Sequence, residues 1–119
     1  MNVLILEDTM TWQELLCHVC FRNGWQPISV QSAEEAIQKL QIEQIDAAIL
    51  DLLLPDSLDT ETSLEVVRLF AKRLPGKVCV VSGIDNLPSK IGGCPVVSKM
   101  FADIDTLSAA IRAAFELAG

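Results

Sequence analysis

The stretch Ala47-Ala48-Ile49-Leu50-Asp51-Leu52-Leu53-Leu54-Pro55-Asp56 decides the fold. It is apolar apart from one internal carboxylate, Asp51, and it stops at Pro55, which supplies no backbone donor to a ladder. A continuous apolar run of this length, bounded by a breaker, reads as a strand buried on both faces of a parallel sheet. Asp51 then lies near the carboxyl end of a central strand. An ionised carboxylate is costly to bury, so Asp51 either caps something or is paired with a cation. In open α/β sheets the carboxyl ends of the strands are where ligands bind.

The same signature recurs on either side. Val3-Leu4-Ile5-Leu6 ends in Glu7-Asp8, Val78-Cys79-Val80-Val81 ends in Ser82-Gly83, and Pro95-Val96-Val97-Ser98 ends in Lys99. Residues 25–31 alternate through Ile28 and Val30, and Pro27 predicts a place near the sheet edge. Helical spacing fills the intervals. Trp12, Leu15, Leu16, Val19 and Cys20 form one stripe over residues 11–23, with Gly24 as the stop and Cys17, His18 and Phe21 on the outer side. Ser32 and Glu35 make a capping box ahead of Ala36, Ile37 and Leu40, in a helix ending near Gln44. Leu64, Val67, Phe70 and Leu74 mark a third helix that Pro75-Gly76 ends, and Asp85 to Ile91 a short fourth one containing Pro88 and cut off by Gly92-Gly93. Asp103 or Asp105 caps a final helix carrying Leu107, Ala110, Ile111, Ala114 and Phe115. Strand and helix alternating five times predict a three-layer α/β fold, a doubly wound five-stranded parallel sheet with right-handed crossovers and helices on both faces.

Half of the 119 residues are apolar, enough for one core and too few for two ordinary domains. No basic leader precedes an apolar stretch, and no run approaches the roughly 20 residues of a spanning helix, so a cytoplasmic domain is expected. A net charge of -7 argues against direct contact with nucleic acid or an anionic membrane, either of which calls for a basic face. Of the four cysteines, Cys79 and Cys94 read as reduced packing residues in or beside strands. Cys17-His18-Val19-Cys20 has C-x-x-C spacing, but it sits inside a helical pattern and no second ligand pair exists elsewhere.

In a parallel sheet the ends carrying Glu7, Asp8, Asp51, Ser82 and Lys99 share one edge. Three carboxylates in one crevice raise one another's pKa unless a cation sits among them, and oxygen-only ligands favour Mg²⁺. An Asp carboxylate is itself a nucleophile toward phosphorus. Phosphoryl transfer then needs little beyond positioning and charge stabilisation, for which Lys99 supplies a point charge and Ser82 a hydroxyl.

With the acid pair Glu7-Asp8, the Asp51-Leu-Leu-Leu-Pro55 element, the Ser82-Gly83 step and Lys99 in this order, the whole chain resembles the receiver domain of two-component response regulators, which has a flavodoxin-like fold. The resemblance implies one receiver domain over residues 1–119 that accepts a phosphoryl group on Asp51 from a histidine kinase or phosphotransfer protein. It implies Mg²⁺ held by Asp8, Asp51 and the Leu53 backbone carbonyl, with Glu7 acting through water. Ser82 and Lys99 would bind the phosphoryl oxygens, and movement of Ser82 would report to a downstream protein target or a fused effector domain. Such a domain catalyses only its own phosphorylation and dephosphorylation.

The chain departs from the family pattern in several places. Met100 follows Lys99 where the family usually has a cis proline, so a trans path is expected there. Val96 stands where an aromatic usually swings inward on activation, and the segment from Ser82 to Lys99 is short. The loop from Asp56 to Ser63 is longer than usual and borders the site, which points to a partner contact or a gate. Leu53 and Ile84 line the family's path for the hydrolytic water, and their apolar side chains predict a long-lived phosphoryl group. The alternative is a receiver-like interaction module that works without phosphorylation. A phosphatase would need an acid at Leu53. A flavin site would need a phosphate loop where Glu7-Asp8 stands.

Overall fold

The computed structural model describes residues 1–51, 60–83, 89–100 and 103–117, leaving aside the side chains of residues 60–63 and 117. The Leu53 carbonyl, Pro55, the loop residues 56–59, Ile84 and Pro88 lie outside the described residues. Among the described residues, six strands and four helices follow in the order β1 (Asn2–Leu6), α1 (Met10–Arg22), β2 (Gln26–Val30), α2 (Ala33–Ile42), β3 (Ala47–Asp51), α3 (Thr60–Arg73), β4 (Val78–Ser82), β5 (Lys90–Ile91), β6 (Cys94–Ser98) and α4 (Ile104–Leu117). The strands form one sheet in the order β2-β1-β3-β4-β6-β5. All pairs are parallel except β5 with β6.

The alternation of side chains along each strand sorts the core into two layers. Val3 and Ile5 of β1, Ala47 and Ile49 of β3, and Cys79 and Val81 of β4 face Leu16, Val19, Leu107, Ile111 and Phe115 of α1 and α4. Leu4, Leu6, Ala48, Leu50, Val78 and Val80 face the other way, onto Ala36, Leu40, Val66, Val67 and Phe70 of α2 and α3. This double burial is why β3 and β4 read as unbroken apolar runs. β2 is the outer strand that Pro27 predicts. Among the described residues no helix is long and apolar enough to cross a membrane.

Four local expectations change. Lys90 and Ile91, expected at the end of a short helix, form an edge strand instead, because Gly92 and Gly93 both take positive φ (59° and 83°) and close a two-residue hairpin onto β6. Residues 60–63, expected in a loop, already belong to the backbone of α3. Helix α2 ends at Ile42, short of Gln44, and Glu43 is extended. Cys17 is half-buried, its Sγ 3.2 Å from the Ser29 hydroxyl on β2, whereas Phe21 and His18 are exposed as expected. The peptide bonds of the described residues are trans, Lys99–Met100 included. The Met100 N–H, a donor proline lacks, donates to Ser98 Oγ at 3.0 Å.

Candidate functional site

Strand register builds the site before any side chain is considered. Leu6 of β1 lies beside Leu50 of β3, so the next step along both strands puts Glu7 beside Asp51. Both continue the alternation of Ile5 and Ile49, on the face covered by α1 and α4. Lys99 continues the alternation of Val97 from β6 onto the same face. Its backbone N–H donates to the Ser82 carbonyl at 2.8 Å, which ties the ends of β4 and β6 together.

Glu7, Asp8 and Asp51 each offer a carboxylate oxygen, and these atoms lie within 4.8 Å of one another. Glu7 and Asp51 are buried and Asp8 is half-exposed. Lys99 Nζ spans the two buried acids, donating to Glu7 Oε2 at 2.8 Å and to Asp51 Oδ2 at 3.1 Å. The other oxygen of Glu7 accepts from the Thr9 N–H at 3.1 Å. Gln13 Nε2 donates to the Glu7 carbonyl at 2.6 Å, pinning the end of β1 to α1. Ser82 is buried at the end of β4.

The charges set one another. Burial pushes the Glu7 carboxyl above its ordinary value, the Lys99 hydrogen bond opposes this, and the neighbouring Asp51 adds to the rise. Burial disfavours the Lys99 ammonium, but the hydrogen bond to Glu7 and the charge of Asp51 outweigh it and hold its pKa above 10.5. One ammonium offsets only part of three carboxylates. The donor set is oxygen-only, and its span is close to the about 4.2 Å between opposite ligands of an octahedral Mg²⁺. The acidic cluster therefore fits a hard divalent cation in both charge and size.

The structure thus draws Glu7, Asp8, Asp51 and Lys99 into one cluster and sets Ser82 beside it. Sequence reasoning missed Trp12. It was counted in the helical core stripe, yet its ring lies under the Lys99 ammonium, 4.7 Å from Nζ to the centroid.

No protein-family model matches the chain. A segment of 54 residues, 45% of the chain, is 32% identical to the phosphate regulon transcriptional regulatory protein PhoB of Escherichia coli, and it spans 24% of that protein. Among solved structures, a CheY-like response regulator receiver domain protein from Methanospirillum hungatei superposes with a TM-score of 0.76 at 20% identity, over 98% of this chain and 94% of that one. Response regulator protein TrrA from Thermotoga maritima, in complex with Mg(2+)-BeF, superposes with a TM-score of 0.75 at 22% identity, over 94% and 96%. The chain has the flavodoxin-like fold of response regulator receiver domains.

Proposed function

We propose that the chain is a phosphorylation-switched receiver of two-component signalling, with Asp51 as phosphoacceptor. The observation that carries this reading is the Lys99 ammonium lying between Glu7 and Asp51, with Asp8 completing an oxygen cluster within 4.8 Å. The donor is a phosphohistidine on a histidine kinase or phosphotransfer protein. An Asp51 carboxylate oxygen attacks phosphorus, the bond from phosphorus to the donor imidazole nitrogen breaks with its electron pair left on nitrogen, and an acyl phosphate results. Asp8, Asp51 and the Leu53 carbonyl are the residues to hold Mg²⁺, which supplies charge stabilisation for the phosphoryl oxygens. Glu7 acts through water, since both its oxygens already accept hydrogen bonds from the protein. Lys99 and Ser82 take the phosphoryl oxygens, and their backbone link offers a route from the modified site to β4 and β6. Hydrolysis returns Asp51 and inorganic phosphate.

The signal leaves through a downstream protein target or a fused effector domain. The chain spans about a quarter of the length of the curated relatives it matches. Residues 1–119 are read as one receiver domain in the cytoplasm whose only catalysis is of its own modification. Beryllofluoride, a phosphoryl mimic, tests the reading by NMR. With Mg²⁺ present it is expected to shift the amides at the ends of β3, β4 and β6 in the wild type and to leave Asp51→Asn unchanged. Equal shifts in both, or none in either, would overturn it.

A further inference from the structure

Among the described residues, the Lys99 ammonium meets the carboxylates of Glu7 and Asp51 and also the indole face of Trp12, with 4.7 Å from Nζ to the ring centroid. Trp12 belongs to the first turns of α1, half-buried and packed against the core layer of α1 and α4. A cation within about 6 Å of a ring centroid is drawn to the negative face of the π system, and tryptophan is the strongest such partner. The Lys99 side chain is only 13% exposed, so water and salt screen that attraction little.

We infer that Trp12 is the positioning residue for Lys99, holding the ammonium at the acidic edge of the sheet through its indole face. Lysine carries a flexible four-carbon stem and a point charge, so its usefulness depends on what fixes the stem. A carboxylate holds the ammonium less firmly once it turns to a metal ion, because the two cations then compete for the same oxygens. The indole carries no formal charge and no ligand for a hard cation, so its hold is the same with and without metal. Trp12 thereby keeps Nζ within reach of an oxygen on a phosphorylated Asp51. A leucine at this position would fill the same part of the core and leave the ammonium without that hold. The geometric part of the inference stands by itself, and its kinetic consequence rests on the phosphoacceptor reading.

The test starts from Trp25→Phe, which leaves Trp12 as the one tryptophan of the chain's two. Trp25 packs on Phe115, 5.3 Å between centroids, and is not part of the site. The first readout is the proton shift of the Lys99 ε-methylene, which the indole ring current moves upfield. That displacement is expected to vanish in Trp12→Leu while a Lys99→Met comparison identifies the resonance. The second readout is the rate of phosphorylation of Asp51 by acetyl phosphate, with Trp12 replaced by successively more fluorinated tryptophans. Fluorine weakens the ring quadrupole and leaves its shape nearly unchanged, so the rate is expected to fall stepwise while the unfolding temperature stays constant. Trp12→Leu is expected to lose about tenfold, with Trp12→Phe between it and the parent. An ε-methylene at its ordinary position, or a rate independent of fluorination, would overturn the inference. Should the parent take no phosphoryl group, the phosphoacceptor reading falls and the ε-methylene shift alone decides on Trp12.

Discussion

At the scale of the residue, Glu7 and Asp8 are adjacent in sequence and opposite in environment. Glu7 is wholly buried and has both oxygens engaged by Thr9 N–H and Lys99, whereas Asp8 is half-exposed at the mouth of the cluster. That split argues for Asp8 as a direct ligand and Glu7 as an outer one. If so, Mg²⁺ binds the folded chain and stabilises it by mass action. At a concentration about tenfold above its dissociation constant the gain is about 1.4 kcal/mol, a few degrees in the unfolding midpoint. Asp8→Asn is expected to lose most of that rise, as read by thermal unfolding with and without Mg²⁺; an undiminished rise would place the cation elsewhere. All four clustered residues were legible in the sequence because each lies at or just past the carboxyl end of an apolar strand. Trp12 was not, because a residue on the apolar stripe of a helix looks the same whether it meets an aliphatic core or an ammonium.

Elements were legible where the local rules agree with one another. Ser32 caps α2 as its box pattern predicts, accepting from the Glu35 N–H at 3.2 Å. The choice between Asp103 and Asp105 at α4 falls to Asp103, whose Oδ1 accepts from both the N–H and the hydroxyl of Thr106 at 2.8 Å, while Asp105 pairs with Arg22. The hydrogen bonds from the Thr106 N–H and hydroxyl hold the Asp103 carboxyl below its ordinary 3.8. A depressed carboxyl contributes stability that is present above pH 3.8 and lost as pH falls through the folded-state value. Asp103→Asn keeps a capping oxygen and removes the titration, so acid unfolding curves of the variant should be flatter below pH 3.8 than those of the wild type. Parallel acid limbs would contradict this. Where rules compete, reading failed. Gly92-Gly93 signals a helix stop and a hairpin turn alike, and only pairing of Lys90 and Ile91 with β6 separates the two. Thr60 to Ser63 carries the polar composition of a loop, and the helix that includes it draws its stability from the buried Val66, Val67 and Phe70 farther along.

For the whole molecule, five parallel strands gather their carboxyl ends on one edge, and that topology converts four separate sequence motifs into one site. The fold was legible because both faces of β1, β3 and β4 are covered, which leaves apolar runs that stop abruptly at acids or small polar residues. The antiparallel edge strand β5 lay beyond that logic, being too short to carry a pattern. The acidic cluster is an arrangement that burial alone disfavours, so the fold keeps it by setting Lys99 in its midst and by leaving Asp8 open to a cation. Such a site is suited to receiving one further anion together with a metal. The most direct measurement of this claim is the intact mass after incubation with acetyl phosphate, with and without Mg²⁺, on the wild type and on Asp51→Asn. The account predicts a gain of one phosphoryl group that requires both Mg²⁺ and Asp51. A folded wild-type protein that gains nothing would contradict it and favour a receiver-like interaction module that works without phosphorylation.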